Sequence, residues 1–592
     1  MKIKVNRNHL WAKVFFNQLA SLGVKYACIS PGSRSTPLAY SLAQNKKIKC
    51  YVHNDERSSA FFALGLAKAT NNPVIVVTTS GTAVAELYPA IIEAYQQRTP
   101  LIICTADRPA ELIGTGANQT INQHNIFRNQ IRWFRDLGLP SISDTGFYYL
   151  QKIAVKAFRI SLFEDRGPVH LNFPFEKPLE PFSFTDKVNK KTIRVKPLQN
   201  LRHNSDHFTV QSNTKIFRTI VSELIETKKG IIIAGPMEYD HELFKQIKQL
   251  SSITKYPVLA DGLSHLRFNA GKNDTTVISN FNLIFSSEKF LESHNPEVIL
   301  QFGRTPTSSL LEAFFERTNA RRYLINHYGD KFDPTRNSTA VLTADPIYFC
   351  KNLISNLKDE KLQRHKSGWL KDLIHADEEA EKVKFKLVQR SKFPNEISAM
   401  TEIVDSVPAN SNLVIGNSLP VRDLDSFVRK TSKKLFLHFN RGASGIDGVT
   451  STALGIASKR KQTVLISGDL SFLHDLSALS IAAKYSLPLS IVIINNNGGG
   501  IFESLPIAKR FNKLKEYFIA PHNLNLGEIV NSFGIKYNLV KSRRDLKKHL
   551  LVNIYKKQPC VLEIQTDAVK SVELRNKISE ETKKILDEDF EQ

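Results

Sequence analysis

The sequence has little cysteine, and the cysteines it has are scattered. Its 592 residues include five of them, and no two form a CxxC pair: Cys28, Cys50, Cys104, Cys350 and Cys560. This spacing argues against a disulfide framework and against a cysteine zinc site. It is the usage expected of a protein that works in the reducing cytoplasm, which is the compartment we predict.

Long hydrophobic runs are also missing. No apolar stretch approaches the ~20 residues that a membrane span requires, so we expect no span. The N-terminal segment MKIKVNRNHLWAKVFF has no long apolar core before a small-residue cleavage site, so we expect no signal peptide. The chain is too long for a single hydrophobic core, and its length predicts about three or four domains.

Acidic residues are few relative to basic ones. There are 57 Asp and Glu against 81 Lys and Arg, which gives a formal charge of +24. Such an excess is typical of nucleic-acid-binding proteins, but local positive clefts that steer anionic substrates would also contribute to it. The lysines are spread along the chain without an aromatic-interleaved basic motif. This favours a solvated basic surface, and we predict no nucleic-acid partner.

The most informative stretch of the chain runs from Gly468 to Pro506. The apolar segment TVLIS before it predicts a buried parallel strand, and PLSIVIINNN predicts a second one. Between them, Asp475–Tyr485 has apolar residues at helical spacing. Because parallel strands end at the same edge of a sheet, where α/β folds bind ligands, Asp469 and Asn496 should lie close together.

These two side chains have the chemistry of a magnesium site. Asp469 supplies a carboxylate, and Asn496 supplies an amide oxygen 27 positions later. Mg²⁺ prefers hard oxygen ligands and usually shares them with a phosphate. The glycines after Asn496 let a backbone carbonyl, that of Gly498, approach closely. Either half alone could be a plain turn, but the two together predict a metal and phosphate site.

A GD pair followed 27 positions later by NN resembles the signature of the thiamine-diphosphate-dependent decarboxylase–synthase superfamily. Within this superfamily, the segment GDLSFLHDLSAL…NNNGGGIFESLP is similar to the sequences of the menaquinone-biosynthesis synthases that join 2-oxoglutarate to isochorismate. The resemblance implies a thiamine-enzyme fold, a transferase activity on those two substrates, and thiamine diphosphate with Mg²⁺ or Mn²⁺ as cofactors. It also implies that the metal ligands are Asp469, Asn496 and Gly498.

Residues 1–185 alternate strands with helices, which predicts a doubly wound parallel sheet with polar loops at the strand ends. Without the resemblance, each loop has a plain explanation: the helix dipole favours Glu56, and the others are turn or surface residues. The resemblance implies that this domain binds the pyrimidine, and that Glu56 is the catalytic acid paired with the aminopyrimidine. The substrate-binding residues it implies in this domain are Ser33, Arg34, Arg108, Asn118 and Gln119.

Residues 393–592 form the third predicted α/β domain, in which the loops SNLVIGNSLPVRD and LHFNRGASGIDG precede the metal stretch. Their small residues could turn backbone N–H groups toward a phosphate, or could serve helix–sheet packing. The resemblance implies that they hold the diphosphate and pyrimidine, with Ile446 as an apolar wedge under the cofactor. The implied cofactor residues are Glu56, Asn417, Ser418, Ser444, Gly445, Ile446, Gly468, Asp469, Leu470, Ser471, Asn496, Gly498 and Ile501. Further implied substrate residues are Arg422, Arg441, Phe502 and Leu505.

A middle α/β domain is predicted over residues 216–357. No glycine fingerprint follows its first strand, so we expect no flavin or NAD there. The polar segment 181–215 is predicted to be a linker, and 358–392 a solvated connecting helix. The predicted strands of the middle domain are Gly230–Gly235, Tyr256–Asp261, Pro296–Gly303, Arg321–His327 and Thr339–Asp345.

The resemblance further implies that two chains share each active site. Glu56 would come from one subunit and Asp469 from the other, in a homodimer or a tetramer. The alternatives are a different thiamine-dependent 2-oxo-acid decarboxylase or acetolactate-type synthase, a nucleic-acid-binding protein, and a scaffold with an inactive site. Because guanidinium groups pair with carboxylates, four arginines favour dianionic substrates over small monoacids: Arg34, Arg108, Arg422 and Arg441.

Overall fold

Three six-stranded parallel sheets follow one another along the chain in the computed structural model. The structure describes residues 2–189, 193, 195–198, 214–270, 274, 276–358 and 368–590. Alternate residues of one strand enter two different hydrophobic cores, as Val74 and Ile75 do, because both faces of the sheet are covered. The predicted class of three doubly wound α/β domains is therefore confirmed.

The central sheet of the first domain has the order β3-β2-β4-β5-β7-β6, and β1 pairs with β8 in a separate antiparallel ribbon. The strands are β1 (Lys2–Val5), β2 (Tyr26–Ile29), β3 (Lys49–Val52), β4 (Val74–Thr78), β5 (Leu101–Asp107), β6 (Trp133–Asp136), β7 (Pro168–Pro174) and β8 (Asp186–Asn189). The helices are α1 (Arg7–Ser21), α2 (Thr36–Ala43), α3 (Glu56–Thr70), α4 (Thr82–Ala85), α5 (Tyr88–Gln96) and α6 (Asp144–Arg159).

The segment predicted to be a linker is partly structured. β8 lies within residues 181–215 and forms a register with β1 from Lys2 to Val5. The linker prediction is therefore wrong for β8, since a four-residue polar strand at an edge carries too weak a pattern to be seen. Residues 190–192, 194 and 199–213 of this segment lie outside the described part of the chain.

The sheet of the middle domain has the order β11-β10-β9-β12-β13-β14. All five predicted strands are confirmed, and the two-residue β11 is additional. The strands are β9 (Gly230–Ala234), β10 (Val258–Ala260), β11 (Val277–Ile278), β12 (Val298–Phe302), β13 (Arg321–Asn326) and β14 (Ala340–Thr343). The helices are α7 (Thr214–Glu226), α8 (His241–Thr254), α9 (Phe281–Ile284), α10 (Glu288–Ser293), α11 (Ser309–Arg317) and α12 (Pro346–Lys358).

The third domain has the sheet order β16-β15-β17-β18-β20-β19 and is reached through α13 (Trp369–Arg390). Its strands are β15 (Asn412–Ile415), β16 (Phe436–Phe439), β17 (Thr463–Gly468), β18 (Leu489–Asn495), β19 (Lys536–Leu539) and β20 (Cys560–Gln565). Its helices are α14 (Glu396–Ser406), α15 (Leu419–Phe427), α16 (Val449–Ala457), α17 (Asp469–His474), α18 (Ala478–Lys484), α19 (Leu526–Ser532), α20 (Arg543–Lys556) and α21 (Ala568–Asp589).

The connecting helix α13 is not solvated on all sides. Trp369, Leu373, Ala376 and Ala380 are buried in one core with residues of α9 and α21. Most of the charged residues that suggested a solvated helix lie on its other face, but Asp377 and Lys384 are buried too, so that prediction is only half right. Residues 359–367 of the predicted segment are outside the described residues.

The two outer sheets have the same topology. If strands are counted from β2 in the first domain and from β15 in the third, both orders are 2-1-3-4-6-5. The helix after the second strand is α3 in one domain and α16 in the other, and these equivalent helices pack together. A Cβ on Gly65 would lie 2.0 Å from the carbonyl oxygen of Thr452, so only glycine allows this approach. The first and third domains consequently share one hydrophobic core.

None of the helices in the described residues combines the length and the apolar character needed to cross a bilayer.

Candidate active site

Asp469 is the first residue of α17, directly after β17. Parallel strands β15 and β17 are neighbours here although they are not consecutive, and such a switch in strand order opens a crevice at the sheet edge. The helix predicted at Asp475–Tyr485 is present as α18, but a separate short helix begins already at Asp469. The predicted strand ends are therefore correct, and Asp469 lies at a helix N-terminus rather than in a loop.

The Asp469 carboxylate is buried, with 2% of the residue exposed. Its Oδ1 accepts a hydrogen bond from the Leu470 N–H at 2.9 Å, and its Oδ2 accepts one from the Gly498 N–H at 2.7 Å. The Nε2 atom of His522 lies 3.1 Å from the same Oδ2. Burial raises the pKa of Asp469, and these hydrogen bonds act in the opposite direction.

Asn496 follows β18, the strand next to β17. Its Nδ2 donates to Oε1 of Glu396 at 2.7 Å. Its Oδ1 is buried and has no hydrogen-bond partner within the part of the chain that the structure describes. A buried amide oxygen without a partner is unusual, because leaving such a group unsatisfied costs about 1–3 kcal/mol. The atom is thus available as a ligand.

Gly498 has φ of +134° and joins the ends of β17 and β18 through its bond to Asp469. A Cβ at this position would lie 2.2 Å from the carbonyl oxygen of Ile519, so the close packing of the loop requires glycine. Among the described residues no group of three or more His, Cys, Asp or Glu side chains could hold a metal. A metal here would depend on Asp469, an amide, a carbonyl and oxygens of a bound ligand, which is the donor set that suits Mg²⁺.

The loops after β15 and β16 are tied to each other beside this edge. Nδ2 of Asn417 donates to the carbonyl oxygens of Asn440 at 2.8 Å and Gly445 at 2.7 Å. Ser418 and Ser444 have φ of +70° and +62°, and this left-handed backbone makes a sharp turn in each loop. The predicted residues of both loops are therefore brought together.

Ile446 is held by its backbone and leaves its side chain accessible. Oγ of the buried Ser471 donates to the Ile446 carbonyl at 2.9 Å, whereas the residue is 38% exposed. Gly468 and Leu470 are partly exposed on either side of Asp469. An apolar side chain that projects from a fixed backbone is what a wedge under a ligand requires.

Two arginines lie at the corresponding edge of the first sheet. Arg34 follows β2 and donates from Nη1 to the Phe175 carbonyl at 2.7 Å, while Arg108 follows β5 and donates from Nη1 to the Gln119 carbonyl at 3.0 Å. Burial lowers the pKa of both, and the charge of Arg108 lowers that of Arg34 further. The two guanidinium groups are thus near neighbours, and Ser33, Asn118 and the Gln119 side chain are exposed beside them.

Glu56 is the first residue of α3, after β3 in the same sheet. The helix is capped by Asp55, whose side chain accepts from the Ser58 N–H at 3.0 Å. Burial raises the pKa of Glu56, and the nearby charges of Asp55 and Glu86 raise it further. Among the described residues, no hydrogen bond or ion pair joins Glu56 to Asp469. The two halves of the predicted site are therefore not bonded to each other within one chain.

Three family models match the chain in order: the N-terminal thiamine pyrophosphate binding domain at residues 11–126, the middle domain of thiamine pyrophosphate enzymes at 195–415, and the C-terminal binding domain at 426–564. Relatives named 2-succinyl-5-enolpyruvyl-6-hydroxy-3-cyclohexene-1-carboxylate synthase match over nearly the whole length. The one from Bacillus cytotoxicus is 34% identical over 570 residues, 95% of each chain, and the one from Trichormus variabilis is 38% identical over 552 residues, 92% of this chain and 93% of its own.

The chain belongs to this synthase family of thiamine pyrophosphate enzymes. It is therefore a thiamine-diphosphate-dependent enzyme, as the sequence motifs predicted, and the superfamily fold is confirmed in all three domains. The individual domain boundaries and site residues stay predictions.

A second pair of arginines lies in the third domain of the thiamine enzyme. Arg422 donates from Nη1 to the Ser418 carbonyl at 2.8 Å, and Arg441 donates to Oδ1 of Asn417 at 3.4 Å. Burial lowers the pKa of both, and Arg441 adds to the lowering at Arg422. These two predicted substrate residues thus lie near each other, Arg422 on α15 and Arg441 in the loop after β16.

Apolar residues border the same edge of the third sheet. Ile501 and Phe502 are half-buried, and the Phe502 ring packs against Phe518 with centroids 5.3 Å apart. Leu505 is 42% exposed. An apolar surface thus follows β18, at the edge where Asn496 lies.

Glu93 and Lys68 of the first domain hold the loop after β16 in the third domain, and the sequence did not reveal them. The Glu93 carboxylate accepts from the N–H groups of Gly442 at 2.8 Å and Ala443 at 2.7 Å. Nζ of Lys68 donates to Oδ1 of Asn440 at 2.9 Å and to the Phe439 carbonyl, and burial lowers the pKa of Lys68 to about 8. The expectation that this loop turns its N–H groups to a phosphate is therefore wrong at Gly442 and Ala443.

His522, Glu396 and Arg575 also contact the predicted metal residues or their partners, although no motif marks them. They are far from Asp469 and Asn496 in sequence, and only the fold brings them near. The sequence carried one signal for these supporting residues: Lys68 is a charged residue on α3, a mostly apolar helix.

Proposed function

We propose that the chain decarboxylates 2-oxoglutarate and adds the resulting succinyl unit to isochorismate. The product would be 2-succinyl-5-enolpyruvyl-6-hydroxy-3-cyclohexene-1-carboxylate, with release of CO₂, in menaquinone biosynthesis. The name shared by the relatives supports this reaction. The observation in the structure that carries the substrate class is the placing of arginines in two close pairs, the buried Arg34 with Arg108 and the more exposed Arg422 with Arg441. Dianionic substrates match such guanidinium pairs.

Asp469, the Oδ1 of Asn496 and the carbonyl of Gly498 would hold Mg²⁺ or Mn²⁺, and through it the diphosphate. The unpartnered Oδ1 and the hard oxygen donors fit this assignment. Ser418, Ser444, Gly445 and Ser471 would line the diphosphate and pyrimidine with backbone and hydroxyl groups, and Ile446 would hold the cofactor bent. Thiamine diphosphate supplies the electron sink for loss of CO₂ when it is bound.

Glu56 would hold a proton at the aminopyrimidine nitrogen. Its raised pKa keeps this carboxyl protonated to higher pH, which suits a group that must both donate and accept a hydrogen bond during turnover. The arginine pairs would orient the two substrates through their carboxylates. Ile501, Phe502 and Leu505 would keep water from the reacting carbon, because an apolar wall offers no hydrogen bonds.

The working unit would be a homodimer, or a tetramer built from it, with each site shared by two chains. Glu56 has no contact with the Asp469 site in its own chain among the described residues, and Ile446 and Leu505 leave apolar surface exposed beside that site. A symmetric partner would bring the first domain of one chain onto the third domain of the other. The compartment would be the cytoplasm, in keeping with five cysteines that are all free.

The reaction is tested by following CO₂ release from 2-oxoglutarate with thiamine diphosphate and Mg²⁺, with and without isochorismate. We expect the cyclohexene product to form only when both substrates are present. Pyruvate is the control substrate. Turnover of pyruvate to acetolactate or acetaldehyde, without use of 2-oxoglutarate, would instead identify one of the alternative thiamine enzymes.

A further inference from the structure

A buried carboxylate on a separate helix faces the amide of Asn496. Glu396 is the first residue of α14, is 1% exposed, and accepts the hydrogen bond from Nδ2 of Asn496 at 2.7 Å. An ionised carboxylate can only accept hydrogen bonds, so the NH₂ group must point to it. The amide oxygen is then forced to the opposite side, where Oδ1 is buried and lacks a partner among the described residues.

We propose that Glu396 is a positioning residue that fixes the orientation of the Asn496 amide, so that its oxygen and not its nitrogen faces the metal. The inference rests on the metal site proposed above. Outer partners of this kind set the orientation of metal ligands in many proteins. Without Glu396 the amide could turn over and present NH₂, which repels a cation.

Glu396 is itself held by Arg575, which an acidic residue of another element holds in turn. Arg575 of α21 forms an ion pair with Oε2 of Glu396, and its Nε and Nη2 bond to Asp423 at 2.9 and 2.7 Å. Asp423 lies on α15 and is 1% exposed. The guanidinium thus leaves Oε1 of Glu396 free for Asn496, and the C-terminal helix is connected to the metal site through two hydrogen-bonded contacts.

A neighbouring pair offers a matched control. Asn495 donates from Nδ2 to Oε1 of Glu563 at 2.8 Å, and Glu563 is also 1% exposed. In contrast to Asn496, the Oδ1 of Asn495 already accepts from the Asn497 N–H at 2.9 Å. Both pairs join an asparagine amide to a buried glutamate, and the two asparagines are adjacent in sequence. Of the two, only Asn496 has an amide oxygen without a hydrogen-bond partner among the described residues, so only Asn496 can offer one to a metal.

The test compares Glu396→Gln with Glu563→Gln in the full-length chain. Binding of Mn²⁺ in the presence of thiamine diphosphate is measured by electron paramagnetic resonance of the free ion, and thermal unfolding is measured without metal. We expect Glu396→Gln to weaken Mn²⁺ binding ~10–100-fold, the usual effect of losing an outer partner, because the introduced amide accepts either orientation of Asn496. Glu563→Gln should leave Mn²⁺ affinity unchanged.

A rescue distinguishes positioning from general support of the fold. In the double variant Glu396→Gln/Asn496→Asp, position 496 has oxygens on both sides, and the introduced glutamine donates to one of them. This variant should regain Mn²⁺ affinity, whereas an affinity lost through poor folding would stay lost. Unchanged affinity in Glu396→Gln, or no recovery in the double variant, would overturn the positioning role. Absence of Mn²⁺ binding by the wild-type protein would instead overturn the proposed metal site.

Discussion

The backbone N–H of Gly498 donates to Oδ2 of Asp469 across 2.7 Å, and this bond joins the ends of two adjacent parallel strands. It places a buried carboxylate, a glycine carbonyl and the free oxygen of Asn496 at one edge of the third sheet. A family match alone would not show this arrangement. The described contacts therefore explain why the GD and NN motifs meet at one edge of the sheet.

Removing the carboxylate of Asp469 tests the metal site. A ligand present at about 100 times its Kd stabilises a protein by about 2.7 kcal/mol, so thiamine diphosphate with Mg²⁺ should raise the melting temperature of the wild-type chain. We expect Asp469→Ala to lose this increase. Asp144→Asn, a change at an exposed helix start of the first domain, should keep it. An equal increase in Asp469→Ala would count against the assigned ligand.

Glu56→Gln tests the proton-holding role at the first sheet. Because general acid–base groups contribute typically about 10²–10⁴-fold, CO₂ release from 2-oxoglutarate should fall by that factor or more. The circular dichroism spectrum should not change, since the side chain is only half-buried and makes no ion pair among the described residues. Glu316→Gln, on an exposed face of α11, is the control. Wild-type turnover in Glu56→Gln would refute the role.

If the loop after β16 binds the cofactor as proposed, its contact with Glu93 predicts an effect of the first domain on cofactor binding. In Glu93→Gln an NH₂ group faces the N–H of either Gly442 or Ala443, and one of them loses its acceptor. An unsatisfied buried group costs about 1–3 kcal/mol, so thiamine diphosphate affinity should fall roughly tenfold or more. Isothermal titration gives the affinity. Equal affinities in Glu93→Gln and Glu316→Gln would show that the contact does not shape the loop.

The buried Asp475 predicts a pH dependence of stability. It accepts hydrogen bonds from the N–H and hydroxyl of Ser451 at the packing of α3 and α16, and burial raises its pKa from 3.8 to about 7. Between these values the unfolded chain ionises this group while the folded chain keeps the proton. The group's contribution to the free energy of unfolding should therefore be full below the lower pKa and be lost as pH rises to about 7, by about 1.4 kcal/mol per unit.

The variant Asp475→Asn removes this titration and keeps most of the hydrogen bonds. The decline of its melting temperature between pH 5 and 7 should be smaller than that of the wild type, whereas Asp144→Asn should follow the wild type. Parallel curves for wild type and Asp475→Asn would show that the carboxyl does not hold a proton in the folded state.

The sequence was sufficient for the parts of the fold that have strong periodic patterns. Apolar strands such as β17 and β18 are buried on both faces along most of their length, and their ends located Asp469 and Asn496. By contrast, the strand β6 is half-exposed and was not predicted, and β11 has only two residues.

The residues that support the site could not be predicted, for a different reason. Glu396 and Asn496 are 100 positions apart, and Glu93 lies 349 positions from Gly442. Hydrogen bonds of this range depend on how domains pack, and a single sequence carries no pattern for them. The roles of Glu56 and the arginines came from family resemblance, since their types alone fit ordinary loop residues.

The most direct test of a site shared by two chains is to mix two inactive variants, Glu56→Gln and Asp469→Ala. After subunit exchange, half of the dimers should contain one of each chain. In such a dimer one site has both lesions, and the other has an intact Glu56 facing an intact Asp469. A site shared by two chains predicts that the mixture recovers about a quarter of wild-type activity. If every site lies within a single chain, each site keeps one lesion. A mixture that stays inactive although the chains exchange would therefore contradict a shared site.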